Sequence, residues 1–473
     1  MWERLRGLRS WTLRLSHRLP LGSSGPGAAL SRAVWGRPAR VLVLLFASVI
    51  VLGTGLLMLP ASQQDPGTTT LSQALFTATS ALCVAGLSVV ALGDHWSPLG
   101  EGVILALIQV GGIGIMTLAS VLGLVVIRRF GLRMQLSVQS EQRTLNVGDA
   151  REIVLRIVAT SLVCEALLTL VLVPRMWLAH GMGLDEAAYS GLFHAVSAFN
   201  NAGLSLYGDS LTRFSGDPLI LGPIALATVL GGLGFPVLLE LRRHLRTPRR
   251  WSLHTKMTVW TSLLLFVGGM VAVTALEWGN PATLGPLPWP QKLLDGAFHG
   301  VMPRSGGFNV VDVAAMESHT LFVTIMLMFV GGGSASTAGG IKTSTFAVIW
   351  FVVWAEVRGH PQVHAFGRRL SSGAVRQALS LTFLSMTGIA FATIYLTATS
   401  PFTLQEILFE VVSAFGVVGL SAGITPALPT HGQILLTILM FAGRLGPITF
   451  ASALALRERT RRYDLPEGRP IIG

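Results

Sequence analysis

The sequence predicts an all-α polytopic membrane protein: four repeats of helix, re-entrant pore helix with filter strand, and helix, arranged around one pore. Three observations predict it. Four times a Phe is followed nine or ten residues later by a Gly with a large apolar residue directly after it: Phe76 and Gly86 in FTATSALCVAG, Phe193 and Gly203 in FHAVSAFNNAG, Phe298 and Gly307 in FHGVMPRSGG, Phe409 and Gly419 in FEVVSAFGVVG. These glycines stand 117, 104 and 112 residues apart, the mark of one unit used four times. The composition is that of a bilayer protein, since 51% of the 473 residues are apolar, 12% are charged and mean hydropathy is +0.61. Finally, the basic residues fall in alternate connections, around 4–40, 128–156, 242–256, 358–376 and 457–469, whereas 60–101 and 401–431 contain no Lys or Arg. By the positive-inside rule both termini are cytoplasmic and the four Gly-containing loops face outward. A net charge of +12 distributed beside spans fits topology and anionic lipid, and implies no nucleic acid.

Each element then has its reason. Residues 1–40 are a basic cytoplasmic arm and not a leader, because Arg is spread along the whole stretch and the run at 41–59 is long enough to span. Repeat one occupies 41–127, with spans at 41–59 and 102–127; repeat two occupies 150–243, with spans at 153–172 and 219–241. Repeat three occupies 256–357, with spans at 257–276 and 321–353; repeat four occupies 374–457, with spans at 375–396 and 433–456, and 458–473 is a cytoplasmic tail. Between the two spans of each repeat lies a segment too short and polar to cross twice. A half-helix that enters from outside and returns as a strand satisfies its length and its backbone.

The chemistry lies in the strands after the half-helices: Val84, Ala85 and Gly86; Asn201, Ala202 and Gly203; Ser305, Gly306 and Gly307; Val417, Val418 and Gly419. Glycine lets four backbones approach closely and permits positive φ, so the carbonyls ahead of each glycine would face one axis and replace a cation's water shell. None of these strands carries a carboxylate, so the binding groups are dipoles, which suit a weakly hydrated monovalent ion better than Ca²⁺ or Mg²⁺. The half-helices aim their negative C-terminal ends at the same place.

A second register runs through the inner spans as VGGIG from Val110, LGGLG from Leu230, VGGGS from Val330 and AGRLG from Ala442. In repeats one and two these glycines serve either close helix packing or a kink beneath the strands. In repeat three the polar stretch 331–345 (GGGSASTAGGIKTST) interrupts a span too long for one straight helix. A phosphate-binding loop is excluded, because Ile341 separates Gly340 from Lys342. Irregular backbone at membrane depth lines a cavity or is buried in protein, which makes Gly331, Gly332, Gly333, Gly339, Gly340, Lys342 and Thr343 a flexible plug; a broken helix is the alternative. In repeat four Arg444 replaces the central Gly, as a positive barrier in the ion path or as the partner of an acidic residue such as Glu165.

FEVVSAFGVVGLSAGIT from Phe409, RSGGFN from Arg304, residues 332–345 and GRLGP from Gly443 resemble the signature segments of the bacterial Trk/Ktr potassium-uptake family, nearest its Ktr ion-translocating membrane subunit. The resemblance covers all four repeats, from about residue 41 to the C-terminus. It implies potassium uptake, in some members by sodium-dependent symport, a homodimer with one pore per subunit, and a separate cytoplasmic ring that binds ATP/ADP or NAD and opens the gate. Carried over, Gly86, Gly203, Gly307 and Gly419 are filter glycines, 331–345 is the intramembrane gate, and Arg444 is the pore arginine. Gly306 stands where Ala is usual and Val417 where Thr is usual, departures that bear on fine ion preference. No dinucleotide-binding motif occurs in this chain, so any nucleotide is expected on the partner, docked on the Arg-rich linkers and tail. Rival readings are a secondary transporter, a sodium-selective relative and a membrane enzyme. Against the first, the repeats are parallel and no acidic residue recurs in them. Against the last, His194 and His299 lack metal-ligand spacing.

Overall fold

The computed structural model describes residues 38–129 and 150–446. The basic arm before residue 38, most of the first inter-repeat linker, Pro447 of GRLGP and the tail lie outside the described residues. By internal contacts the described residues fall into two units, 38–45 in one and 46–446 in the other. In the first unit, 38–45 are helical. The second unit carries all the short helices and the strands after them.

The described residues are mainly helical, with the predicted alternation of long and short elements. Helix α1 (Pro38–Leu57) is followed by the short α2 (Leu71–Cys83), which starts at a capping box: Gln73 N–H donates to Thr70 Oγ1 and Thr70 N–H to Gln73 Oε1, at 3.4 and 2.9 Å. A single turn, α3 (Leu92–His95), leads to α4 (Pro98–Arg129), and α5 (Ala150–His180) precedes the short α6 (Leu184–Phe199). Helix α7 (Pro218–Leu233) starts at the Asp217 cap and turns by 104° into α8 (Phe235–His244). The predicted span at 219–241 is therefore broken. Gly234, at φ +91°, and Pro236 at the start of α8 account for the break, because a proline there removes a helical donor and disfavours helix before it.

Helix α9 (Leu253–Glu277) is followed by α10 (Trp289–Val301), which a 3₁₀ turn, Met302–Arg304, extends. Helices α11 (Ser318–Phe329) and α12 (Thr343–Val357) are separated by non-helical chain at 330–342. The predicted loop 331–345 thus starts one residue earlier, and its last residues, Thr343 to Thr345, open α12. A two-residue antiparallel pair, β1 (His364–Ala365) and β2 (Arg368–Arg369), joins α12 to α13 (Ser372–Thr399). Helix α14 (Leu404–Gly416) has its own capping box at Thr403 and Glu406, and α15 (Thr430–Leu445) is the last described helix.

By length and composition, Arg151–His180, Leu253–Glu277 and Ser372–Thr399 are each long and apolar enough to cross a membrane, and the bent α7–α8 pair makes a fourth if counted as one span; the predicted spans at 41–59, 102–127 and 321–353 coincide in part with the shorter apolar segments Val41–Leu57, Pro98–Gly114, Ser318–Phe329 and Thr343–Val357. The burial pattern is that of a bilayer protein. On α5, α9 and α13 Leu170, Leu264 and Phe383 are 70%, 67% and 75% exposed, while α14 buries all of 409–416. Short, partly polar helices are inside and long apolar ones outside, the arrangement lipid favours.

Packing closes into a ring. Helix α2 lies against α4 and α15, α6 against α7 and α4, and α14 against α15 and α11; α10 lies against α7, with the 3₁₀ turn against α11. Each short helix thus sits between the inner helix of its own group and that of the group before it. Lipid tails are as apolar as Leu, so such contacts depend on small residues and backbone bonding more than on hydrophobic transfer. Gly111, Gly231 and Gly443 lie against the carbonyls of Leu82, Phe199 and Phe415 on the short helices, where any Cβ would collide. The first glycines of the GG and GR pairs are packing positions, and the kink belongs to Gly234.

Candidate functional site

The last turn of each short helix decides the backbone beyond it. Val84, Asn201, Ser305 and Val417 have φ of +59°, +61°, +91° and +56°, and two residues later Gly86, Gly203, Gly307 and Gly419 have +78°, +65°, +72° and +102°. In three groups the same pair of bonds ends the helix: Val84 N–H to Ala81 O and Ala85 N–H to Ser80 O at 3.1 and 2.7 Å, Asn201 to Ala198 and Ala202 to Ser197 at 3.1 and 2.7 Å, and Val417 to Ala414 and Val418 to Ser413 at 3.2 and 3.0 Å. This is a Schellman closure with a side chain where glycine is usual. In the third group Pro303 interrupts the pattern, and Gly306 N–H bonds to Met302 O at 2.8 Å. A left-handed non-glycine residue costs about 1–3 kcal/mol, and most where the side chain is β-branched, as at Val84 and Val417. Such strain persists where the surroundings fix the chain.

These surroundings are the other strands. A Cβ on Gly86 would lie 2.6 Å from Ala202 O and 2.7 Å from Gly419 Cα; on Gly203, 2.9 Å from Gly306 O and 2.7 Å from Gly307 Cα; on Gly419, 3.0 Å from Ala85 O and 2.8 Å from Gly86 Cα. On Gly307 it would collide with Val418 O. The four glycines therefore surround one axis in chain order, each facing the carbonyl before the next glycine. Gly306, the departure from Ala, has its own reason: a Cβ there would strike Met302 Sδ and come 2.9 Å from Thr228 Cγ2. At the other departure, Val417, the carbonyl accepts from Ser305 Oγ at 3.2 Å, and its side chain lies against Gly339 of the loop.

The loop 330–342 lies against the strands and inner helices of the second and fourth groups. Its ends pair as a parallel bridge, Val330 with Ile341, with Gly331 N–H to Ile341 O and Thr343 N–H to Gly332 O both at 2.9 Å. Its tip bonds to the inner helices and the strands: Gly333 N–H to Gly232 O at 2.8 Å, Thr337 N–H to Gly231 O and Gly340 N–H to Gly443 O at 3.3 Å, Thr337 Oγ1 to Asn201 Oδ1 at 3.1 Å. Lys342 Nζ turns back to Ala338 O at 2.5 Å. Arg444, buried, donates through Nη1 to Thr337 O and through Nη2 to Gly111 O, the latter at 2.8 Å. The alternative of an Arg444–Glu165 ion pair does not hold. Glu165 instead accepts from Gln109 Nε2 at 2.9 and 3.1 Å and from Asn200 Nδ2 at 3.0 Å, and among the described residues no carboxylate pairs with Arg444.

Some polar residues here have roles that the sequence reading did not assign. Glu410 on α14 accepts from Ser421 Oγ, Ala422 N–H and Thr425 Oγ1 at 2.5, 3.0 and 2.7 Å, bracing the chain beyond Gly419. His194 Nε2 pairs with Ser205 Oγ at 2.9 Å in the corresponding place beyond Gly203. Register held the signal: His194 and Glu410 each come directly after the repeat Phe, and Ser205 and Ser421 each stand two residues after the repeat Gly.

Fold and site define a class, a helical polytopic membrane protein in which four left-handed turns close on one axis beneath short helices. The chain belongs to the cation transport protein family TrkH, which matches residues 38–459. That family consists of ion transporters and not of enzymes. It is 38% identical to the Ktr system potassium uptake protein B of Bacillus subtilis (strain 168), over 92% of this chain and 97% of that one. It is 36% identical to the protein of the same name from Vibrio alginolyticus, over 95% and 97%. In fold it matches the potassium transporter TrkH of Vibrio parahaemolyticus with a TM-score of 0.68, at 18% identity and covering 88% of this chain and 84% of that one.

Proposed function

We propose that this cation transporter takes up potassium across the cell membrane along the axis on which Gly86, Gly203, Gly307 and Gly419 meet. The observation that carries this reading is the ring itself: the carbonyls of Ala202, Gly306, Val418 and Ala85 face Gly86, Gly203, Gly307 and Gly419, each on the preceding strand, giving oxygen dipoles and no carboxylate. The short helices add their negative C-terminal ends, each equivalent to about half a charge. Val84, Asn201, Ser305 and Val417 then set the carbonyl directions as the first filter residues. The loop, with Gly331, Gly332, Gly333, Gly339, Gly340, Lys342 and Thr343, is the gate, and Arg444 holds it closed while its charge opposes a passing cation. The names of the two relatives support potassium as the ion. Their designation as parts of a Ktr system supports a second, regulatory chain, which we read as a nucleotide-binding ring on the cytoplasmic side of a homodimer.

The test is uptake of potassium, or rubidium as its tracer, into vesicles containing the purified chain. Potassium-selective flux is expected. Sodium carried equally well would move the reading to the sodium-selective alternative, and uptake that requires a counter-transported solute would move it to the secondary transporter. Orientation is set by charge: a reporter fused after Gly473 is expected to signal from the cytoplasm, and a signal confined to the outside would overturn the reading of both termini as cytoplasmic.

A further inference from the structure

Arg304 is a second buried arginine at this site, 2% exposed, and stands directly before Ser305, the first residue of the third strand. Its guanidinium donates Nη2 to Gly331 O at 2.7 Å and to Thr343 Oγ1 at 2.9 Å, Nε to Val330 O at 3.3 Å and Nη1 to Ser262 O at 3.2 Å, and it lies 4.7 Å from the centre of the Phe266 ring. Among the described residues no carboxylate forms an ion pair with it. A buried charge held wholly by dipoles is costly, and apolar filling would meet a purely structural need better. What Arg304 holds is specific. Val330, Gly331 and Thr343 are the two ends of the 330–342 loop, at the place where Gly331 N–H and Thr343 N–H join them across the neck.

We infer that Arg304 is a positioning residue that clamps the neck of the loop to the third strand, so that the loop moves only at its tip and the strand keeps its register while it does. This inference rests on reading the loop as the gate. The two arginines divide the work: Arg444 latches the tip at Thr337, and Arg304 fixes the hinge at the neck. The fork is what the clamp requires, since a guanidinium presents rigid, planar donors to several acceptors whereas an ammonium is a point charge on a flexible stem. Thr343 completes it, donating Oγ1 to Gly331 O at 2.9 Å while accepting from Arg304.

The test compares Arg304→Lys, Thr343→Val, Arg444→Ala and deletion of 333–340 in vesicles without the regulatory partner, each normalised to folded protein. Arg304→Lys and Thr343→Val are expected to raise partner-free rubidium flux about tenfold and to lower the potassium-to-sodium ratio about threefold or more, the loss of roughly one hydrogen bond's worth of restraint. Arg444→Ala and the deletion are expected to raise flux with the ratio kept. Thr343→Val leaves both arginines in place and keeps the comparison readable where the Lys variant does not fold. If the deletion fails to raise flux, the gate reading itself is wrong. If the deletion raises flux while folded Thr343→Val and Arg304→Lys alter neither flux nor ratio, or alter flux alone, the clamp between neck and strand is wrong and the gate reading stands.

Discussion

Rubidium uptake by vesicles containing the Arg444→Ala protein, without any partner, is expected to exceed that of the unsubstituted chain by about ten- to a thousandfold. Two effects of the arginine add. It holds the loop tip by donating to Thr337 O, and the same guanidinium holds inner helix α4 by donating to Gly111 O. Each hydrogen bond to a charged group is worth about 1.5–3 kcal/mol, so losing the first alone shifts the loop's open fraction by at least tenfold. On the proposed ion path its charge also opposes a cation, since among the described residues no carboxylate pairs with it. At an effective dielectric of about 20 and a separation of about 6 Å, it raises a potassium ion's energy by roughly 3 kcal/mol. Removing 333–340 tests the first effect without the second, since it leaves Arg444 in place. A structural arginine predicts a different result, namely poor yield with no faster transport. Folded variants of both kinds that conduct no better than the unsubstituted chain would mean that the loop supports the helices and does not gate.

How much of this was legible in the sequence depends on what kind of atom makes each contact. The four Phe and Gly pairs are legible because each glycine answers a side-chain constraint: no Cβ fits where Gly86, Gly203, Gly307 and Gly419 meet. The 330–342 interruption is legible because Ser, Thr and Lys at membrane depth disturb an apolar run. The break at Gly234 carried its signal in Gly-Phe-Pro, and the long apolar stretch around it hid that signal in a single predicted span. The partners of Arg444 and Arg304 left no such mark. Apart from Thr343 Oγ1, their acceptors are the main-chain carbonyls of Thr337, Gly111, Val330, Gly331 and Ser262, and a carbonyl has no residue type to read. A search for a carboxylate therefore led to Glu165, whose own partners are the amides of Gln109 and Asn200. Absence of a recurring acidic residue was a sound observation about register, yet Glu165, Glu277, Asp295 and Glu410 are all buried at non-equivalent positions. Divergence among four copies hides polar residues that serve one copy each.

Replacing Gly86 by Ser or by Ala is expected to lower the potassium-to-sodium flux ratio about tenfold or more and to reduce potassium flux with it. The reason is the Cβ that both residues carry. At φ +78° an L side chain costs roughly 1–2 kcal/mol, and the added carbon would lie 2.6 Å from Ala202 O and 2.7 Å from Gly419 Cα, closer than carbon approaches backbone atoms. Neither neighbour can turn aside as a flexible side chain would, so the second and fourth strands shift, and the carbonyls of Ala202 and Val418 leave their places together. A shift that costs the bound potassium ion 1.4 kcal/mol relative to sodium is about a tenfold loss of discrimination. Ala and Ser should act alike, because backbone displacement and not the hydroxyl is the cause. Gly55→Ala in α1 is the control, since a Cβ there meets nothing within 4 Å. Flux ratios for the three variants, measured at equal folded protein in the same vesicles, decide the matter. A ratio unchanged in Gly86→Ala would remove this glycine from the selective ring, and a ratio altered by Ser alone would make the hydroxyl the determinant.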